Sequence, residues 1–282
     1  RTRFSPTHCL CYHPPAGSPL SKHESLPVLT KSRPDPDFLI GIDDTDNLES
    51  RGTGFHARCL VDALEHAGVA TAVGVTRHQL FFDDRIPYTS HNSSACISVA
   101  AHVPEPDLFG FCRTHMLDNA VDGSDIGLCL ATPTQAATVV DYARRAKCDV
   151  LDQQLARDTA AAADIALEGL SGTRDGIIGA LASVGLFADG NDGRYIWKRR
   201  LRELRGATIS VRDLLEETGI DDIRLTDGVS IAAEAEARIV LGDWARPVRI
   251  DGHSVLLVQK GIAHESAEYE CIDKQRIKEF RP

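Results

Sequence analysis

No apolar periodicity runs through the first 37 residues, and an ordered alternation begins at Phe38. Phe38-Leu39-Ile40-Gly41-Ile42 is a short apolar run that suits a buried strand, and it ends on a polar loop, Asp43-Asp44-Thr45-Asp46-Asn47. The spacing then predicts a helix over 55–67, with Phe55, Cys59, Leu60, Ala63, Leu64 and Ala67 on one face and Gly68 past its end. Segments 69–75 and 95–100 read as strands, with a polar loop over 83–94 between them. Helical patterns recur near 105–116, 134–146 and 155–168, and another begins near Gly176. Beyond Gly206 a helix is expected over 211–217 and short strands over 237–240, 247–250 and 254–259, separated by Gly-Asp and Asp-Gly turns. The charged end, 265–282, reads as a segment that frays. Such alternation predicts an α/β or α+β fold, with strands backed by helices and a small β-rich C-terminal appendage.

Composition narrows this picture. Of 282 residues, 43% are hydrophobic and 26% charged, which is a globular balance. No apolar run approaches the roughly 18 to 20 residues that a membrane span needs, so a soluble protein is expected. Residues 1–37 are rich in proline and serine and read as a disordered extension. Their His8-Cys9-Leu10-Cys11-Tyr12-His13 cluster has Cys-x-Cys spacing and no second half, and so fits a solvated tail better than a zinc site. Singly scattered cysteines at 59, 96, 112, 129 and 148 point to a reducing, cytoplasmic setting. The net charge of −10 opposes non-specific attraction to nucleic acid, so any contact with RNA has to be local.

Candidate chemistry gathers at several places. Asp43, Asp44 and Asp46 put three carboxylates at the end of the first strand, where Mg²⁺ and a nucleotide could be held; the competing reading is a capped turn with solvated acids. Arg51-Gly52-Thr53-Gly54 enters a helix and offers either phosphate-binding amides or an ordinary cap. Its degenerate Gly-x-Gly-x-x-Ala spacing begins too far from the strand for a dinucleotide fold. Gly172-Thr173-Arg174-Asp175-Gly176, running on to Gly179, is a second glycine-rich helix entry, with Arg174 beside the backbone amides; it is neither a P-loop nor a serine-hydrolase elbow. Between two strands lie Arg77, His78, Tyr88, His91 and Asn92, which read either as a substrate-recognition surface or as a plain surface turn. Arg194 opens a basic, aromatic-interleaved run to Arg205 that suits a phosphate-bearing ligand or a solvated charged face.

In this order, the motifs resemble the archaeal tRNA-isoleucine agmatinylcytidine synthetase family. The resemblance rests on Gly41-Ile42-Asp43-Asp44-Thr45-Asp46, Thr53, Ile86-Pro87-Tyr88-Thr89-Ser90-His91-Asn92, and the 176–185 helix followed by Asp192 to Tyr195. It covers about 38–206, and 207–282 forms a separate small region. The resemblance implies a kinase-like domain with a ferredoxin-like subdomain. It also implies ATP-dependent phosphorylation of a cytosine oxygen, which an amine then displaces. On that basis Asp43, Asp44 and Asp46 are expected to hold Mg²⁺, with Thr53 beside the transferred group. Gly52, Gly54, Gly172, Arg174, Gly176 and Gly179 would surround the phosphates of ATP, and Arg77, His78, Tyr88, His91, Asn92 and Arg194 would meet the acceptor. The family's OB-fold and Cys-x-x-Cys zinc ribbon, which grip tRNA, have no counterpart after Gly206, where Cys271 is the one cysteine. Two further readings stay open: a non-catalytic nucleotide- or RNA-binding module relying on Arg199, Arg200 and Arg202, and a catalytic body working with a separate tRNA-binding partner.

Overall fold

The apolar run at Phe38 forms β1, Phe38–Asp43, in which Leu39, Ile40 and Ile42 are buried on alternating faces. The computed structural model describes residues 35–88, 91–261 and 267–279. The His8–His13 cluster and the expected extension up to residue 34 lie outside them. After β1 come α1 (Thr53–His66), β2 (Ala70–Gln79), β3 (Ser93–Ala101), α2 (Glu105–Asp118), β4 (Gly127–Ala131), α3 (Pro133–Thr138), α4 (Val140–Arg145), α5 (Gln153–Ala162), β5 (Ala166–Gly169), α6 (Gly176–Asp189) and β6 (Arg194–Trp197). The remainder adds β7 (Thr208–Ser210), α7 (Val211–Thr218), β8 (Asp222–Leu225), β9 (Arg238–Val240), β10 (Val248–Ile250), β11 (His253–Lys260), β12 (Tyr269–Cys271) and α8 (Lys274–Glu279).

The strands form one mixed sheet in the order β5-β4-β1-β3-β2-β6-β10-β11-β12-β9-β7, with β8 beside β11. β1 is antiparallel to both β3 and β4, and parallel pairing is confined to β8–β11 and β9–β12. The mixed α/β class is therefore as expected. Because β10 pairs with both β6 and β11, the sheet runs unbroken past position 206. Ile40, Ile42, Ile97 and Val99 pack on one face against Leu60, Leu64 and Leu108 of α1 and α2. On the opposite face Leu39, Cys96 and Cys129 pack against α6, whose residues from Ile177 to Phe187 are almost all buried. No helix among the described residues is long and apolar enough to cross a membrane.

Several local expectations are corrected. The buried stripe of α1 is Thr53, Ala57, Leu60, Val61 and Leu64 rather than the one through Phe55, Cys59, Ala63 and Ala67. Phe55 instead lies under the Arg51 guanidinium, 4.6 Å from its ring centroid. The 155–168 helix ends at Ala162, Asp164 turns through φ 53°, and 166–169 joins the sheet as β5. The 134–146 helix is two, the first fixed by a Thr132–Gln135 capping box. Finally, 267–279 does not fray, because Tyr269, Ile272 and Ile277 are buried. β4, Gly-Leu-Cys-Leu-Ala, is entirely buried and lacks the polar alternation that marks a strand in sequence.

α6 crosses the sheet at backbone contact. A Cβ at Gly127 would stand 2.0 Å from the carbonyl carbon of Gly176, and one at Gly176 would stand 2.4 Å from the Gly127 nitrogen. Backbone cannot swing aside as a side chain can, so the whole helix has to move. Gly127→Ala is expected to lower stability by about 3 kcal/mol or more, read by chemical denaturation. Gly110→Ala, on α2 with no atom within 4 Å of the added methyl, should be neutral or stabilising by up to about 1 kcal/mol. Equal effects of the two would contradict the close crossing.

Candidate active site

The acidic loop leaves β1 directly beneath α6. At Gly179 a Cβ would come within 1.8 Å of Asp43 Oδ2, so the missing side chain lets the helix pass the carboxylate. Asp44 turns through φ 53°, a left-handed conformation that aspartate tolerates better than most residues, and its carbonyl accepts from the Asp125 amide at 3.1 Å. Asp46 reaches across to α1: its Oδ1 accepts from both the Thr53 amide at 3.1 Å and the Thr53 hydroxyl at 3.0 Å. The residue preceding the helix, Gly52, has no side chain to offer, so Asp46 serves as the cap from outside the helix.

These carboxylates repel one another. Burial, then the Asp44 and Asp46 charges, push Asp43 up to about 8, against a smaller opposing pull from Arg77. Asp44 is raised to about 6 by burial and by Asp125, Asp46 and Asp175. An acidic centre of this kind favours a cation.

Asp43, Asp44, Asp46 and Thr53 line a cleft of about 620 Å³. Gln153, Gln154 and Arg157 of α5 line it too, and Arg157, half-buried, donates to Gln153 Oε1 at 3.0 Å. The 80–92 loop supplies the rim. There Arg85 grips Asp83 through two nitrogens at 2.7 and 2.9 Å, and Tyr88 meets Phe82 edge-on. Asn92 holds that loop, donating to the Phe81 carbonyl at 2.6 Å and accepting from Gln79 at 2.5 Å through its own backbone carbonyl. Tyr88, His91 and Asn92 thus reach the cleft, as do Gly176 and Gly179.

Other residues singled out in the sequence do not line it. His78 is fully buried, with Asp192 at 2.8 Å on Nδ1 and the Thr76 hydroxyl at 2.7 Å on Nε2; burial lowers its pKa, and it serves the packing beneath Gly193. Arg77 lies on the α1 face, where its Nε donates to Ser93 at 2.9 Å, and its register partner Arg194 lies beside it. Gly52 and Gly54 turn their carbonyls to Phe55 and Arg58. The amides expected to cradle phosphates are committed elsewhere. Thr173 donates to the Asp125 carboxylate, Gly176 to the Asp125 carbonyl, and Ile178 to the Asp175 carbonyl. Arg174, at φ 71°, lays its stem against Gly169, and Gly172 packs on Asp125. The arginines that line the cleft are Arg157 and Arg85, while Arg77, outside its lining, acts on Asp43 and Asp46. Sequence reasoning missed Arg157 because a lone arginine on an amphipathic helix looks like solvated surface.

Among the described residues no three His, Cys, Asp or Glu side chains converge to hold an ion, and Asp46 is engaged by its cap. Asp43 and Asp44 remain. Mg²⁺ bound through one or two carboxylates, with phosphate oxygens completing its shell, fits such a pair.

Part of the chain is similar to solved structures of TiaS, a tRNA agmatidine synthetase. The apo form aligns at 22% identity and TM-score 0.47, covering 52% of this chain and 35% of that one. The complex of TiaS with its tRNA and ATP aligns at 23% identity and TM-score 0.48, covering 52% and 36%. A tRNA fluorescent labeling enzyme aligns at 24% identity and TM-score 0.48, covering 52% and 35%. This chain therefore spans about a third of the length of the solved chains it matches. No family model matches the sequence, and no curated protein matches it closely enough to count as a relative.

The raised carboxyls have a measurable consequence. In the unfolded chain Asp43 loses its proton near pH 4, whereas in the folded one it keeps it to about pH 8. The native state binds more protons across that window, so stability without ligand should fall as pH rises from about 4 to about 8. Asp44 should add to the loss up to about pH 6. Urea denaturation should show a smaller fall between about pH 5 and 8 for Asp43→Asn than for the wild type. Parallel pH profiles would contradict a protonated Asp43.

Proposed function

We propose that the cleft transfers the γ-phosphoryl group of ATP to an oxygen of a nucleotide-like or small-molecule acceptor, a kinase-like or ligase-like activation. The observation that carries this reading is that Asp43, Asp44 and Arg157 line a single nucleotide-sized cleft. Phosphoryl transfer asks a protein mainly for positioning and for neutralisation of charge on the transferred oxygens, and these side chains are suited to both.

In this reading Asp43 and Asp44 would hold Mg²⁺, which supplies neutralisation of the triphosphate when bound. Arg157 takes non-bridging phosphate oxygens through its fork, and Arg85 at the rim does so on leaving Asp83. Thr53 stands beside the transferred group, its hydroxyl directed by Asp46. Tyr88, His91 and Asn92 meet the acceptor. As the acceptor oxygen bonds to phosphorus, the bond from the γ-phosphorus to its bridging oxygen breaks and ADP leaves. The acceptor's new phosphate is then a leaving group that an amine can displace, the two-stage chemistry that the motif resemblance implies. Gly176 and Gly179 act by bringing α6 against the acidic loop rather than by binding phosphate.

With Mg²⁺ and γ-labelled ATP, the purified protein should release phosphate or carry label. Asp43→Asn should lower that turnover by about 10²-fold or more. Thr53→Ala should remove any label on the protein. Full turnover in Asp43→Asn would overturn the assignment.

A further inference from the structure

The first turn of α5 and the turn that leads into α6 meet through one side chain. Asp152 caps α5, its Oδ1 accepting from the Leu155 amide at 2.8 Å, so Gln153 is the first helical residue. From there its Nε2 donates to the Thr173 carbonyl at 2.8 Å and to Asp175 Oδ1 at 2.7 Å, while its Oε1 accepts from Arg157 at 3.0 Å. The amide can sit only this way round, because a guanidinium only donates and a carbonyl only accepts. The second oxygen of the carboxylate, Asp175 Oδ2, accepts from the Thr173 hydroxyl at 3.0 Å.

Gln153, Arg157 and Asp175 are all half-buried in the lining of the cleft. A guanidinium and a carboxylate in such a setting commonly close on each other through two parallel hydrogen bonds. Among the described residues no ion pair joins these two, and each binds the Gln153 amide instead. The difference decides what the arginine can do. An ion pair would cancel its charge, whereas a neutral carbonyl oxygen engages one of its five donors and leaves the charge intact. Asp175 likewise keeps its charge for the acidic centre, where it is among the groups that raise Asp44.

We infer that Gln153 is a positioning residue that holds the Arg157 guanidinium and the Asp175 carboxylate apart, so that Arg157 stays available to an anionic ligand in the cleft. The inference rests on the proposed function for the identity of that anion, a nucleoside triphosphate; the separation of the two charges does not depend on it. Both groups bind the same amide, so its removal leaves them facing each other across the space it filled. Arg157 is then expected to pair with Asp175 and to be lost to the ligand.

The test has two arms. In calorimetric titration with Mg²⁺ and a non-hydrolysable ATP analogue, Gln153→Ala should weaken binding by about tenfold, and adding Asp175→Asn should bring it back to within about threefold of the wild type by releasing the arginine. A side chain that only supported the turn would give a further loss instead. Gln153→Glu, which keeps the size, should lose as much as Gln153→Ala, because its own carboxylate pairs with Arg157. Near-wild-type affinity in Gln153→Glu, or no recovery in the double variant, would overturn the inference. The second arm needs no nucleotide. In the Gln153→Ala background Asp175→Asn should lower the urea midpoint, and should do so much less once Arg157→Gln is also present; with Gln153 in place the two shifts should differ less. Equal differences in the two backgrounds would overturn the inference. Coupling as expected, in a wild type that fails to bind the analogue, would sink the nucleotide reading and leave this one standing.

Discussion

The crossing of α6 over β1 and β4 at backbone distance is the constraint on which the rest of the structure depends. Gly41 meets the Ala180 carbonyl, Gly127 meets Gly176, and Gly179 meets the Asp43 carboxylate, each with no room for a Cβ. Because the helix lies this low at Gly179, its backbone passes the Asp43 carboxylate, and the acidic loop emerging from β1 lines the cleft. The same crossing lets Asp125 tie the 171–176 turn down, accepting from Thr173 and Gly176. The glycines shape the site by their absence of side chain, and the amides near them are used in holding that shape.

Much of the architecture was legible in the sequence because it follows from local pattern. The run at Phe38 made β1, the 95–100 run fell within β3, and the apolar stretch from Gly176 made α6. What escaped was set by tertiary pairing. β4 is buried on both faces and so lacks alternation, while β5 exists because β4 offers it an edge. The buried face of α1 was misread because two neighbouring stripes share Leu60 and Leu64, and local spacing cannot say which one the sheet selects.

The site was legible in its acids and less so in its cations. Asp43, Asp44 and Thr53 fall in the cleft, but a cap three-dimensional in origin engages Asp46, which spacing alone shows only as a third carboxylate. His78 and Arg77 are sequence neighbours on opposite sides of a strand, so at most one of them could have faced any single site. Arg157, far in sequence from Asp43 and Asp44, comes to the cleft only through the packing of α5.

If Asp43, Asp44 and Arg157 together form a Mg-nucleotide site, calorimetric titration with a non-hydrolysable ATP analogue should show it most directly. The expected result is a single class of site, binding that requires Mg²⁺, and a loss of affinity of about tenfold or more in Arg157→Gln. Binding that is indifferent to Mg²⁺ and to Arg157, or no binding at all, would contradict it.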